Sequence, residues 1–256
     1  MSKQRCVVVT GGESGIGAAC AAAFAEAGDR VAVFYFKDVN AAVQVAEQVD
    51  RAGGEALTVQ CNVADEASVE KAFDTVERKW GAPTVLINSA GINMSGLTVR
   101  AMPSAVWLRM LATDLTGAFF VSRRFLKGLD DGKPSAAIVH ISSIHAEAVR
   151  AGGADYCAAK AGLANLVRTL AVEEAGKGVR VNAIEPGMIL TPMNGRAMKD
   201  AAYRRSLEKN IPMGRAGTAE EIARIARWLA SDEAGYMTGA TVVADGGLSL
   251  LQGLGA

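Results

Sequence analysis

The chain has 256 residues, half of them hydrophobic, and its 27 Lys and Arg balance 27 Asp and Glu. That length and apolar content suit one large α/β domain with a buried parallel sheet, and the neutral balance leaves no basic footprint for nucleic acid or an acidic membrane surface. The two histidines and four cysteines show no H-x-x-x-H or C-x-x-C spacing, so no transition-metal site is expected.

Cys6, Cys20, Cys61 and Cys157 read as thiols in a reducing, cytoplasmic setting. No apolar run reaches the roughly 18 residues of a membrane span, and the first residues lead into a strand with no signal peptide.

Residues 5–10 predict a Val-rich strand, Gly11 to Gly17 a glycine turn, and residues 18–27 a helix of small residues. Glycines in such a turn let the backbone approach a pyrophosphate, whose charge meets the first helical amides. The spacing is T-G-x-x-x-G-x-G rather than G-x-G-x-x-G, and its place directly behind the first strand favours nucleotide binding over a purely structural turn. Residues 30–36 predict the second strand, 39–52 a helix turning Val43, Ala46 and Val49 inward, and 56–61 the third strand. In dinucleotide-binding folds an acid at the end of the second strand takes the ribose hydroxyls, and a basic residue accommodates a 2′-phosphate. Here that end reads Tyr35-Phe36-Lys37-Asp38 and carries both signs.

Residues 65–80 predict a helix with Asp65 as N-cap and Val69, Phe73 and Val76 inward. A fourth strand at 84–88 runs into Asn88-Ser89-Ala90-Gly91, at the strand end where open α/β sheets bind ligands. Residues 104–128 predict one long helix whose apolar residues, including Trp107, Leu108, Phe119 and Phe120, cover more than one face. One side is expected on the sheet and another on a second subunit; a helix buried in a monomer is the alternative. Residues 130–134 predict a surface turn, 136–141 the fifth strand, 154–176 a helix, and 179–185 a sixth strand stopped by Pro186-Gly187-Met188. Strand periodicity is lost over 188–217, which predicts a lid or substrate loop. Thr218 and Glu221 form a capping-box pattern for a helix to 230, and 241–244 is the last strand.

The chemistry centres on Tyr156 and Lys160, four residues apart on one helix face. A phenol titrates near ~10, and a unit positive charge about 4 Å away at an effective dielectric of about 20 is worth up to ~4 kcal/mol, roughly three pKa units. That brings a tyrosine into the range of general acid–base catalysis. Ser143, at the end of an apolar run, can hydrogen-bond an oxygen held by Tyr156. Taken alone, a Tyr and a Lys at this spacing also describe a solvated helix face.

With Thr10-Gly11-Gly12-Glu13-Ser14-Gly15-Ile16-Gly17, Asn88-Ser89-Ala90-Gly91, Ser143, Tyr156, Lys160, Arg180-Val181-Asn182-Ala183-Ile184-Glu185-Pro186-Gly187, Thr191 and the ending 239–247 in this order, the chain resembles the short-chain dehydrogenase/reductase family over essentially its full length. The resemblance implies a single doubly wound Rossmann-type domain over 1–256, a seven-stranded parallel sheet with helices on both faces, and an NAD(H) or NADP(H) cofactor. It implies an oxidoreductase moving hydride between that cofactor and a small-molecule alcohol or carbonyl substrate. Tyr156 is then the general acid or base, Ser143 holds the substrate oxygen, and Lys160 acts on Tyr156 and the nicotinamide ribose. Gly11, Ser14, Gly15, Ile16 and Gly17 match the phosphate turn, Asn62 and Val63 the adenine contact, and Asn88, Ala90 and Gly91 the cofactor-side turn. Pro186, Gly187, Ile189 and Thr191 match the nicotinamide segment, and His145 and Met188 join Ser143 as substrate candidates.

Several positions depart from the family pattern. Where an asparagine is common in an N-x-x-G segment, this chain has Asp114-Leu115-Thr116-Gly117. An ionised Asp114 near Lys160 would partly cancel the lysine's effect and shift alcohol oxidation to alkaline pH; a local backbone cap is the plainer alternative. In the cofactor code, the NAD-type acid falls at Tyr35 and the NADP-type basic residues at Ser14 and Phe36. The missing acid and Lys37 tilt the expectation to NADP(H) over NAD(H). The segments around Ser143 and 186–194 are similar to glucose 1-dehydrogenase-like members and, more loosely, to 3-oxoacyl-carrier-protein reductase-like members. A sugar or polyol is thus expected ahead of ketoacyl and other carbonyl compounds. A catalytically silent cofactor-binding sensor or structural subunit is the rival from another class, with Asp114 as its support.

Overall fold

Strands β1 (Cys6–Thr10), β4 (Val85–Asn88) and β5 (Ala136–Ile141) are near-continuous apolar runs, and β6 (Val179–Pro186), though it carries Arg180, Asn182 and Glu185, is buried along nearly all its length. Such runs are stable where helices cover both faces of a parallel sheet. The computed structural model, which describes residues 4–129 and 135–251, shows that arrangement; the turn expected at 130–134 lies outside the described residues. With β2 (Arg30–Tyr35), β3 (Glu55–Gln60) and β7 (Thr241–Ala244), the strands form one parallel seven-stranded sheet in the order β3-β2-β1-β4-β5-β6-β7.

Alternation divides the core into two layers. Val7, Val9 and Val33 pack with Phe24 of α1 (Gly15–Ala25), Val45 and Val49 of α2 (Val39–Arg51), and Ile222 of α9 (Ala219–Leu229). Val8 and Phe34 pack on the other side with Phe73 of α3 (Glu66–Trp80), Phe125 of α5 (Gly117–Lys127) and Val167 of α6 (Ala154–Glu174). Strand order reverses between β1 and β4, so the connections leaving them part and open a crevice at their carboxyl ends. Gly11 sits at that point with φ +61°, and a Cβ there would lie 2.9 Å from Ala90 Cα.

Three sequence expectations change. In α2 the inward residues are Ala42, Val45 and Val49, while Val43 is 44% exposed. Val43 and Val49 are six residues apart, about 240° round a helix, and cannot share a face. The long helix is α4 (Ser104–Leu111) and α5 joined by a π turn, Ala112–Thr116, with Leu108 61% and Phe119 40% exposed on its outside. Residues 188–217 are not an irregular loop: they carry α7 (Gly195–Lys199) and α8 (Ala201–Glu208), the latter capped by Asp200. The feet of this segment are tied together, Leu190 N donating to Gly217 O (3.0 Å) and Gly217 N to Met188 O (2.9 Å). Among the described residues no helix is long and apolar enough to cross a membrane.

Candidate active site

β5 delivers Ser142 and Ser143 to the carboxyl edge of the sheet, and a short 3-10 turn, Ile144–Ala146, leads the chain away from it. Ser143 Oγ accepts from the His145 amide at 3.2 Å, which fixes the side chain at the turn. α6 returns to the same edge. Its first turn holds buried Asp155, whose carboxylate accepts from Tyr156 N (2.9 Å) and Ser95 N (3.2 Å), so the helix start is tied to the segment after β4. An acid at that position also complements the helix dipole. Tyr156 and Lys160 thereby face inward together, with the Lys160 ammonium 5.3 Å from the centre of the Tyr156 ring.

Lys160 is 4% exposed and Asp114 only 1%. Lys160 Nζ lies 3.1 Å from Asp114 Oδ2 and 3.4 Å from the Ile141 carbonyl. Burial pulls the ammonium toward losing its proton, but the charge of Asp114, its hydrogen bond and the nearby Tyr156 outweigh that, and the Lys160 pKa is raised. The other Asp114 oxygen accepts from Ile92 N at 2.9 Å. Asp114 thus stands beside the lysine and also accepts from a local backbone amide.

Behind this pair runs a buried polar chain to which sequence reasoning assigned no role beyond Asn88. Thr10 Oγ1 donates to Asn88 Oδ1 (2.7 Å) and accepts from the amides of Ser89 and Ala90 (3.1 Å each). Asn88 Nδ2 donates to His140 Nδ1 (3.1 Å), which leaves Nε2–H facing Ser122 Oγ at 3.3 Å. Burial, aided by the Lys160 charge, pushes the His140 pKa down to about 3, so the ring is neutral and serves as a spacer of fixed polarity. The signal was present in the strands, since Asn88 and His140 are polar residues in apolar runs and stand opposite each other in register.

In front of this buried chain, Ser143, Tyr156, Lys160 and Asp114 line a cleft of about 200 Å³. Gly11, Ser14, Gly15, Ile16, Ala90 and Gly91 form one wall, Asp114, Ser143, Tyr156 and Lys160 another, and Pro186, Gly187, Ile189 and Thr191 close it. Other predicted residues lie elsewhere. Gly17 is behind the turn, where a Cβ would meet Gly11 O at 2.2 Å, and Val63 packs on Gly117. Asn62 shapes its own turn through Ala64 N (3.2 Å) and lines a separate groove of about 410 Å³ with Phe36 and Gln60. Lys37 is exposed, with its ammonium 4.9 Å from the centre of the Phe36 ring. His145 stands beside Tyr156, ring centres 6.1 Å apart, with Nδ1–H donating to the Ala148 carbonyl at 2.6 Å. Met188, expected on the substrate side, instead lines a neighbouring cleft of about 570 Å³ with Met213 and Asp245.

The cleft suits a dinucleotide. α1 begins without a side-chain cap or an acid in its first turn, leaving its amides and dipole for a diphosphate. Glu13 Oε2 and Ser142 Oγ, both lining residues, are shielded from solvent without a hydrogen-bond partner, so a ligand rich in hydroxyls and amides would meet unspent acceptors. The doubly wound sheet, the crevice at its switch point and the Ser–Tyr–Lys cluster define a dinucleotide-binding oxidoreductase.

Known proteins agree. A family profile described as Enoyl-(Acyl carrier protein) reductase matches residues 11–249. The 3beta-hydroxysteroid dehydrogenase 1 of Eggerthella lenta is 39% identical over 98% of this chain and 96% of its own. Glucose 1-dehydrogenase 2 of Bacillus subtilis is 35% identical over 96% and 95%. A short-chain dehydrogenase/reductase from Serratia marcescens superposes with a TM-score of 0.89 at 32% identity, covering 96% of this chain and 98% of that one. The chain belongs to the short-chain dehydrogenase/reductase family. It is a nicotinamide-dependent oxidoreductase acting on CH–OH groups.

Proposed function

We propose that the protein interconverts a ring-borne secondary alcohol or hemiacetal and its carbonyl, with Tyr156 as proton acceptor in oxidation and donor in reduction. The observation that carries this is the convergence of Ser143, Tyr156 and Lys160 on the cleft that the glycine turn also lines. The nicotinamide cofactor, when bound, accepts or supplies the hydride. Ser143 holds the substrate oxygen and Tyr156 exchanges its proton, while buried Lys160 holds a positive charge beside the phenol. Asp114 keeps Lys160 protonated despite burial and, by the same charge, offsets part of the lysine's field at the reacting oxygen, from which an alkaline-shifted oxidation profile is expected.

The ring class draws on relatives named for a 3β-hydroxysteroid, glucose and cis-4-hydroxycyclohexanecarboxylate, whose reacting hydroxyls all sit on six-membered rings. A glucose-like sugar or polyol is the candidate that the sequence favours. Ile92 and Met94 pack near Tyr156 and offer a ring an apolar wall. A screen of aldoses, polyols, hydroxysteroids, hydroxycyclohexane carboxylates and β-ketoacyl thioesters, followed by nicotinamide absorbance, tests the reading. Turnover of a ring alcohol supports it; activity confined to the thioesters rejects it in favour of ketoacyl reduction, and cofactor binding without any turnover favours a silent sensor.

Lys37 favours NADP(H) by its charge, the choice to which the sequence leans. A homotetramer or homodimer through the outer face of α4 and α5 accounts for exposed Leu108 and Phe119, and light scattering of the purified chain checks it. A reducing, cytoplasmic location accounts for the free buried thiols, of which Cys6, Cys20 and Cys61 are pushed up to about 12, chiefly by burial.

A further inference from the structure

We infer that Glu13 reads the adenosine ribose of the cofactor and selects NAD(H) against NADP(H), reversing the preference that Lys37 alone points to. The inference rests on the dinucleotide-dependent reading above and names the residue that decides which dinucleotide enters.

Glu13 belongs to the turn between β1 and α1, yet its carboxylate works at the end of β2. Gly12 N donates to the Phe34 carbonyl at 3.0 Å, which lays the turn across that strand end. Glu13 Oε1 then accepts from Phe36 N at 3.2 Å, one residue beyond the last residue of β2. Gln60 Nε2 holds the Phe36 carbonyl from the β3 side at 3.1 Å, so Phe36 is held on both sides and the carboxylate has a fixed seat. An acid at the end of the second strand is what binds ribose hydroxyls in dinucleotide folds. This chain has Tyr35 at the position where a strand residue would supply it, and the glycine turn brings one in from 22 residues earlier.

The second oxygen decides between the two cofactors. Glu13 Oε2 is shielded from solvent and has no hydrogen-bond partner, an arrangement that costs free energy until a donor arrives. The 2′-hydroxyl of NAD(H) is a donor. The 2′-phosphate of NADP(H) brings acceptors and close to two negative charges at neutral pH, as other phosphomonoesters do. It would both leave Oε2 unsatisfied and repel it.

The surrounding charges do not offset this. Asp38 is committed to capping α2 through Ala41 N at 2.9 Å. Lys37 is solvated, its ammonium resting over Phe36, so its charge is screened by water. Lys71 lines the adjoining groove with Phe36 and Gln60, whereas Glu13 lines the cleft on the glycine turn.

The test is a binding titration of the intact wild-type protein with NADH and NADPH, read by nicotinamide fluorescence, alongside Glu13→Gln. Wild type is expected to bind NADH at least tenfold more tightly, and Glu13→Gln to shrink that ratio at least tenfold, mainly by improving NADPH. Competition between bound NADH and either ADP or 2′,5′-ADP on wild type gives the same comparison without a variant, with ADP the stronger competitor. Tighter NADPH binding by wild type, stronger competition by 2′,5′-ADP, or an unchanged ratio in Glu13→Gln overturns the inference while leaving the oxidoreductase reading intact. Binding of neither dinucleotide overturns both.

Discussion

The two ends of the cleft each hold a carboxylate at a position where the family pattern does not call for one, and the two are used differently. Asp114 has one oxygen accepting from Ile92 N and the other facing the Lys160 ammonium in an ion pair at 3.1 Å. Glu13 has one oxygen on Phe36 N and one idle. A carboxylate placed against a buried ammonium acts first on that cation, so in the proposed mechanism Asp114 tunes the proton chemistry. One with a shielded, idle oxygen acts on whatever enters, so Glu13 sets the choice of ligand. The catalytic end is thus completed before substrate arrives, whereas the adenosine end is completed by the cofactor.

The largest expected effect isolates the catalytic end. Tyr156→Phe removes the proton carrier and should lower kcat/KM by about 10²- to 10⁴-fold, with NADH binding by fluorescence changing far less; a loss confined to binding would reject the assignment of Tyr156. Asp114→Asn separates the two tasks of that residue, since an amide oxygen still accepts from Ile92 N but carries no charge toward Lys160. Its alcohol-oxidation profile should move about one pH unit toward acid, and a superimposable pH–rate profile would leave Asp114 as a backbone cap alone. The same substitution should not alter the NADH to NADPH ratio, which belongs to Glu13.

His140 tests how far the catalytic end depends on its buried scaffold. The unfolded histidine takes up a proton near its ordinary value of 6.5 and the folded one only near about 3. Its contribution to stability is therefore complete above the unfolded value and drains away as pH falls between those limits, by up to about 1.4 kcal/mol per pH unit. Urea midpoints at several pH values should fall accordingly in wild type and less steeply in His140→Gln. The smallest effect is expected at Glu185, on β6 below the catalytic serine segment. Burial first, then Glu147, raise its pKa, with Arg168 opposing. A raised carboxyl pKa gives stability at low pH that is lost as pH rises through the folded value. Glu185→Gln should therefore raise Tm by ~2 °C at pH 8 and leave it unchanged at pH 4; equal shifts at both would remove ionisation as the cause.

Much of the scaffold could be read from the chain because it is local. Apolar runs mark the strands, Asp65 and Thr218 mark helix starts that the structure confirms through Ala67 N and Glu221 N, and the Tyr156–Lys160 spacing places two side chains on one face. What the chain hides depends on contacts distant in sequence. Four valines in α2 offer two possible stripes, and the packing of Ala42, Val45 and Val49 into the core decides between them. No local pattern says that Glu13 bends across to the end of β2. Met188 was hidden for a similar reason: it sits at a bend just past β6, where no strand or helix period says which cleft a side chain enters.

The π turn at Ala112–Thr116 works like an indexing step in a gear train. Its hydrogen bonding takes in one residue more per turn than the α pattern, and one residue is about 100° of rotation. That step lets the outer face of α4 and α5 keep its own alignment while Asp114, inside the step, is turned to meet Lys160. Deleting a single residue ahead of Asp114 there would leave two good helices, with the acid pointing away from the lysine. In the proposed mechanism, the working pH then depends on an angle as much as on a charge.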